Sequence, residues 1–169
     1  MSLRLNKHKQ HILQKFRESD HFHLIFICSG NIIRSPYAHL LFEHLLEKDI
    51  ELKSKMQVES GGVTYRNSSL SMEARNMLVK EGVSTKKISE FIPRYFPDHP
   101  DMFQGVDLVL VMEKNHIHKI PVEDTFLLLE FTLGIANDVP DPYFNPPYER
   151  AFQFIKEALI QLREFFRSN

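Results

Sequence analysis

Residues 23–36 read His23-Leu24-Ile25-Phe26-Ile27-Cys28-Ser29-Gly30-Asn31-Ile32-Ile33-Arg34-Ser35-Pro36, and this stretch changes character twice. From His23 to Ile27 it is a short continuous apolar run, the pattern of a strand buried on both faces of a parallel sheet. From Ser35 onward the period becomes helical: Tyr37, Leu40, Leu41, His44 and Leu45 fall on one face of a helix. Ser35 is a residue type that can cap that helix, and Pro36 suits its first turn. Between strand and helix lies a compact loop, Cys28 to Arg34.

The alternation continues along the chain. Met56 to Ser60 reads as a second strand, Ser71 to Glu81 as a helix closed by Gly82, and Asp107 to Met112 as a third strand. A helical turn is expected at Glu113 to Lys119 and a fourth strand at Thr125 to Leu129. Gly134 to Pro147 is a loop dense in Gly, Pro, Asn and Asp. Tyr148, Ala151, Phe152, Ile155, Leu159, Leu162 and Phe166 then form one apolar stripe on a final helix. Strands alternating with helices imply the α/β class, with an open parallel sheet covered by helices on both faces. In such sheets ligands gather beyond the carboxyl ends of the strands, which is where the loop after Ile27 emerges. At 169 residues the chain is the size of one domain. Residues 23–169 are expected to form it, with 1–22 as an N-terminal extension in which Leu3, Leu5, Ile12, Leu13 and Phe16 support a short helix.

Charge narrows the function classes. Lys plus Arg number 21 and Asp plus Glu 22, so no global field attracts nucleic acid or an anionic membrane, and any anion must be caught locally. No run approaches the roughly 18 apolar residues of a spanning helix, and the first 22 residues lack the apolar stretch of a signal peptide. The single cysteine excludes an internal disulfide or a multi-cysteine metal site and fits a reducing compartment, so a cytoplasmic location is expected. That thiol serves either packing or chemistry.

The loop favours chemistry. A loop wrapped at a helix N-terminus points several backbone N–H groups into one hollow, and these donors with the helix dipole hold a dianionic phosphate. Ser29, Gly30, Asn31, Ile32, Ile33, Arg34 and Ser35 are the residues expected around it. Gly30 and Asn31 are the types that tolerate the positive φ such a curl demands. The same field favours a thiolate at Cys28, and the Ser35 hydroxyl can steady the sulfur as a leaving group. Arg34, separated from the cysteine by five residues, offers a planar fork for two phosphate oxygens. A nucleotide-binding P-loop would need Lys-Ser or Lys-Thr after its last glycine, which is absent.

Departure of an alkoxide or phenoxide from phosphorus needs a proton donor opposite the sulfur. Asp141, in Asp138-Val139-Pro140-Asp141-Pro142-Tyr143-Phe144, is the candidate, with Asp138 as the fallback. Its loop follows the fourth strand and returns to the edge that carries Cys28. The flanking prolines stiffen the backbone, and Tyr143 and Phe144 supply aromatic walls for a ring-bearing substrate.

Together these two segments resemble the low-molecular-weight protein tyrosine phosphatase family, whose pattern is Cys-x-Gly-Asn-x-x-Arg-Ser-Pro near the N-terminus and Asp-Pro-aromatic near the C-terminus. The likeness runs from about His23 to the end and includes Ser60-Gly61-Gly62 and Met112-Glu113. It implies a four-stranded parallel sheet of order 2-1-3-4 in a three-layer sandwich, no metal or organic cofactor, a phosphorylated protein as substrate and inorganic phosphate as product. It also implies a two-step reaction in which Cys28 forms a phosphocysteine while Asp141 protonates the leaving group and then activates water. Asn31, Ser35 and Ser60 match positions that brace the loop. The chain departs from the pattern at Ile33, where many members carry a second cysteine; at Ser29, commonly larger and apolar; at Arg66, where an aromatic flanks the pocket and Tyr65 stands one residue away; and at Lys87, where some members place a bracing histidine. Protein arginine phosphatases share the scaffold but carry threonine at the position of Ile32, whose apolar side chain suits a phenolic substrate. An arsenate reductase of this fold needs several cysteines. A catalytically silent phosphate- or phosphopeptide-binding module would need neither the thiol nor the acid.

Overall fold

In the computed structural model, which describes residues 3–168, the expected run becomes the central strand β1 (Phe22–Cys28), and every residue of it except His23 is buried. It lies between β2 (Met56–Gly62) and β3 (Leu108–Val111), and β4 (Thr125–Leu127) completes a four-stranded sheet of order β2-β1-β3-β4. All pairings are parallel, with Cys28 opposite Gly62 and Ile27 opposite Val111.

Burial on both faces follows from the period of two. Leu24, Phe26 and Cys28 face one layer together with Leu108 and Leu110, while Ile25 and Ile27 face the other with Val109, Val111 and Leu127. The first layer is the larger. It contains α1 (Leu3–Glu18), α2 (Arg34–Leu46), α4 (Met72–Lys80), α7 (Leu128–Leu133) and α8 (Tyr148–Arg167), with the short α3 (Ile50–Lys55) leading into β2. Tyr37 of α2 meets Phe152 of α8 with ring centroids 4.5 Å apart, and Phe42 packs edge-on against Phe26. Met102, Phe103 and Ile120 cover the opposite face, close to the short α6 (Lys114–Ile117), and α5 (Thr85–Glu90) lies between α4 and β3 in the chain.

The first helix is longer than its sequence alone requires and is built into the core. Leu5, Ile12, Leu13 and Phe16 are buried, and the Phe16 ring lies 5.4 Å from Phe22 and 4.8 Å from Phe166. Lys15 Nζ donates to the Asp107 carbonyl at 3.0 Å and to Asp124 at 2.9 Å, fastening the helix to the residues that lead into β3 and β4. Burying one such aromatic side chain contributes about 1.5–3 kcal/mol.

Two local expectations are corrected. The fourth strand stops at Leu127 rather than Leu129: the apolar run continues, but Leu128, Leu129 and Phe131 enter the core from a helix that Gly134 ends in the left-handed conformation. Ser35 does not cap α2, which begins at Arg34 without a side-chain cap, because its hydroxyl is committed to the site below. Ser71, by contrast, caps α4 through the Ala74 N–H. Among the described residues no helix is long and apolar enough to cross a membrane.

Candidate active site

Beyond the carboxyl end of β1 the chain curls from Cys28 to Arg34 around a cavity of about 480 Å³, and Cys28, Ser29, Gly30, Ile32, Ile33 and Arg34 form its floor. The peptide N–H groups of Ser29, Gly30, Ile32 and Ile33 donate to no other backbone group among the described residues, so they are unspent donors at the rim of an open hollow. Cys28 is 3% exposed, yet it is among the residues that line this hollow; its Sγ accepts from the Asn31 N–H at 3.3 Å and lies 3.0 Å from Ser35 Oγ.

One side-chain amide, that of Asn31, braces the curl from within. Asn31 is fully buried with φ of 54°, the left-handed conformation that asparagine tolerates better than most residues. Its Nδ2 donates to Ser35 Oγ and to Ser60 Oγ, both at 2.9 Å, and its Oδ1 accepts from the Arg94 N–H at 2.9 Å. With Ser60 Oγ accepting from Asn31, the serine's own proton is free for His39 Nδ1 at 3.1 Å. His39 Nε2 in turn faces Glu43, 3.6 Å away, and Lys87 Nζ sits 3.2 Å from Glu43 and from Glu47. Burial alone would raise the Glu43 carboxyl, but His39 and Lys87 outweigh it and hold it below the usual carboxylate range. The bracing histidine therefore comes from α2, and Lys87 supports it through Glu43.

Glycine roles differ from those expected. Gly30 does not adopt a positive φ; a Cβ there would lie 2.7 Å from Asn67 Nδ2, which donates to the Gly30 carbonyl at 2.9 Å. Gly62, on the neighbouring strand, is the stiffer constraint, since a Cβ would meet backbone rather than a side chain, Gly30 C at 2.9 Å and Asn31 N at 3.1 Å.

Arg34 is 2% exposed and is gripped by residues of two later loops. Its Nη2 lies 2.6 Å from Glu113 and 2.8 Å from Asp141, and its Nη1 donates to the Val139 carbonyl at 3.0 Å. The loop after α7 thus brings Asp141 to the phosphate loop, over a separation of 107 residues. Asp138, the fallback acid, instead accepts the Lys114 N–H at the start of α6. Tyr65, Arg66, Tyr143 and Phe144 all line the cavity. Tyr143 and Phe144 pack edge to face and are exposed, as is Tyr65, while Arg66 is held by both carboxylate oxygens of Asp98 at 2.5 and 2.6 Å. Glu113, His39, Arg94 and Asn67 were not singled out from sequence. The Met112-Glu113 pair was the one available signal, while the others look like ordinary surface residues until the fold gathers them.

The profile of the family described as low molecular weight phosphotyrosine protein phosphatase matches residues 23–169. The chain belongs to this family. Among curated members of this phosphatase family and its relatives, a protein-arginine-phosphatase of Bacillus subtilis is 28% identical over 148 residues, covering 82% of this chain and 93% of its own. The low molecular weight protein-tyrosine-phosphatase PtpA of Staphylococcus epidermidis is 27% identical over 157 residues, covering 85% and 92%. Of solved structures, a low molecular weight protein tyrosine phosphatase from T. tengcongensis superimposes with a TM-score of 0.69 at 27% identity over 88% of this chain and 99% of its own. YfkJ from Bacillus subtilis gives a TM-score of 0.75 over 89% and 98% at 24% identity, a likeness of fold. The family match begins at the first strand, so α1 lies outside it although it packs into the same core.

Proposed function

We propose that this phosphatase hydrolyses phosphotyrosine in proteins through a phosphocysteine intermediate, with Cys28, Arg34 and Asp141 as its catalytic residues. The observation that carries the reading is the convergence on one cavity of a sulfur beside a hydroxyl and an amide, a buried guanidinium, and a carboxylate delivered from a loop far along the chain. The dianion is held by the unspent amides of Ser29, Gly30, Ile32 and Ile33 and by the Arg34 fork. Sulfur attacks phosphorus as the bond to the phenolic oxygen breaks, and Asp141 gives that oxygen its proton. Asp141, now a carboxylate, takes a proton from water as the water attacks phosphorus; the P–S bond breaks, inorganic phosphate leaves, and the thiolate returns. Asn31, Ser35 and Ser60 keep the sulfur and the loop in register, and the Ser35 hydroxyl steadies the thiolate as it departs. No step calls for a metal or organic cofactor.

The exposed rings of Tyr65, Tyr143 and Phe144 around the entrance suit an aromatic substrate. The partner is a phosphorylated protein, not nucleic acid or membrane, and the setting is cytoplasmic, with residues 23–169 as the phosphatase domain and 1–22 as an extension whose helix α1 packs on it. Arginine dephosphorylation is the second reading, favoured by the Bacillus subtilis relative; the apolar Ile32 in the loop weighs against it, because it offers no hydroxyl to a guanidinium. Hydrolysis of p-nitrophenyl phosphate by wild type and Cys28→Ser tests the nucleophile: turnover should vanish in the variant, and undiminished activity would refute the assignment. Phosphotyrosine and phosphoarginine peptides compared side by side decide the substrate, and preference for phosphoarginine would overturn the first reading.

A further inference from the structure

Behind the phosphate loop, on the side of Glu113 and Asp141, one buried imidazole has no part in the chemistry above. His116, on α6, is 1% exposed, and its Nε2 lies 3.0 Å from the hydroxyl of Ser29, the residue that follows the nucleophile. Its Nδ1 is buried without a hydrogen-bond partner among the described residues. Ser29 itself lines the catalytic cavity and also the adjoining groove that contains Glu113 and Asp141. This pair rests on the reading of the cavity as a phosphatase site and adds a residue to it.

We propose that His116 donates its Nε2–H to Ser29 Oγ and so turns the Ser29 hydroxyl proton into the cavity, as a side-chain donor to the reacting phosphoryl group.

The direction of the bond follows from what each tautomer leaves behind. If Nε2 accepted from Ser29, the proton of the ring would sit on Nδ1 as a buried N–H with nothing to receive it, the rarer and costlier kind of orphan. With the proton on Nε2, Nδ1 keeps only an unused lone pair, and Ser29 Oγ has already accepted a bond. The serine proton then has to find an acceptor elsewhere, and the phosphoryl oxygens supply one in the cavity that Ser29 lines. A charged ring would donate from Nε2 in the same way but would leave an orphaned Nδ1–H, and His116 stays neutral: burial, then Arg34 and Lys119, push it down to about 4, against opposing pulls from Asp138 and Asp141. His116 is thus a positioning residue, and Ser29 contributes through its side chain as well as its peptide N–H. A hydrogen bond to a charged group that strengthens as negative charge builds on the phosphoryl oxygens is worth about tenfold or more in rate.

Ser29→Ala should lower kcat on p-nitrophenyl phosphate about tenfold with KM nearly unchanged, and should weaken inhibition by vanadate, which adopts the trigonal bipyramidal geometry, by a similar factor. Ser29→Thr, which keeps the hydroxyl, should retain most of both. His116→Leu should match Ser29→Ala, and the double variant should be no worse than either single one, as expected of two residues acting through one bond. Nitrogen chemical shifts of the His116 ring in the wild-type protein read the tautomer directly and need no variant to fold. Protonation at Nδ1 overturns the proposal, as does Ser29→Ala keeping kcat and vanadate affinity within about twofold. Loss of turnover in Cys28→Ser alongside either result would leave the phosphatase reading standing and remove only the role of Ser29 and His116.

Discussion

Replacing Asp141 by asparagine should pull binding and turnover in opposite directions. In the structure Arg34 Nη2 is shared by Glu113 at 2.6 Å and Asp141 at 2.8 Å, so two carboxylates occupy the guanidinium that phosphate must use. Each also repels an incoming dianion. A unit charge roughly 5 Å from the phosphate, in a water-filled cavity with a dielectric of about 80, costs about 0.8 kcal/mol per charge on the ligand and so about 1.7 kcal/mol for a dianion. Asparagine keeps the shape and can still accept from Arg34 through its amide oxygen, but it carries no charge. Inorganic phosphate, assayed as a competitive inhibitor at low ionic strength, should therefore bind about tenfold more tightly to Asp141→Asn. Over the same titration kcat should fall by roughly 10²–10⁴, the usual contribution of a positioned proton donor, and most for substrates with poor leaving groups. Raising the salt should shrink the gain in phosphate affinity and leave the loss in kcat. Phosphate binding equal to or weaker than wild type would show that Asp141 does not compete for Arg34.

Three further perturbations address the frame around the site. His39→Ala, which removes the last partner of Ser60 on the far side from the cavity, should lower kcat about three- to tenfold with KM unchanged, and a steady-state comparison in which only KM moved would contradict the brace. Gly62→Ala should cost about 1–3 kcal/mol in chemical denaturation and blunt activity, because its new methyl meets loop backbone that has no rotamer to change; a variant as stable and active as wild type would mean the loop can yield. His116, lowered from 6.5 to about 4, is protonated more readily in the unfolded chain, so the stability it confers is complete above about pH 6.5 and is lost as pH falls toward 4. The loss should reach on the order of 3 kcal/mol in urea titrations across that range, and His116→Phe should flatten it; the same slope in both proteins would place the effect elsewhere.

The parts of this architecture that depend on local pattern could be read from the chain. The run into Cys28 is apolar at every position after His23 because both faces of β1 are covered, and a half-exposed strand would have alternated. Asp141 could be placed because the topology returns its loop to the correct edge of the sheet. The apolar run at Leu127 to Leu129 misled, since leucines read equally well as a strand or as the first turn of a helix, and only packing against Phe131 and α8 decides between them. The polar supports were hidden for a different reason. The Arg94 peptide N–H reaches Asn31 across 63 residues and the His39 ring reaches Ser60 across 21; any residue can offer a peptide N–H, and nothing in a histidine announces that its partner is a buried hydroxyl rather than water. Ser35 shows the converse: a residue well suited to one task by its position was taken by a stronger claim from the sulfur beside it.

The dependence of the curl on Asn31 also limits how far this chemistry could travel. An octapeptide from Cys28 to Ser35, grafted onto a strand–helix junction of some other scaffold, would carry its thiol and guanidinium but arrive without Ser60, Arg94 or the bare Gly62 that lets the neighbouring strand draw near. Such a transplant would trap anions loosely and turn nothing over, because the unit that would have to be inherited is the knot of distant segments rather than the motif.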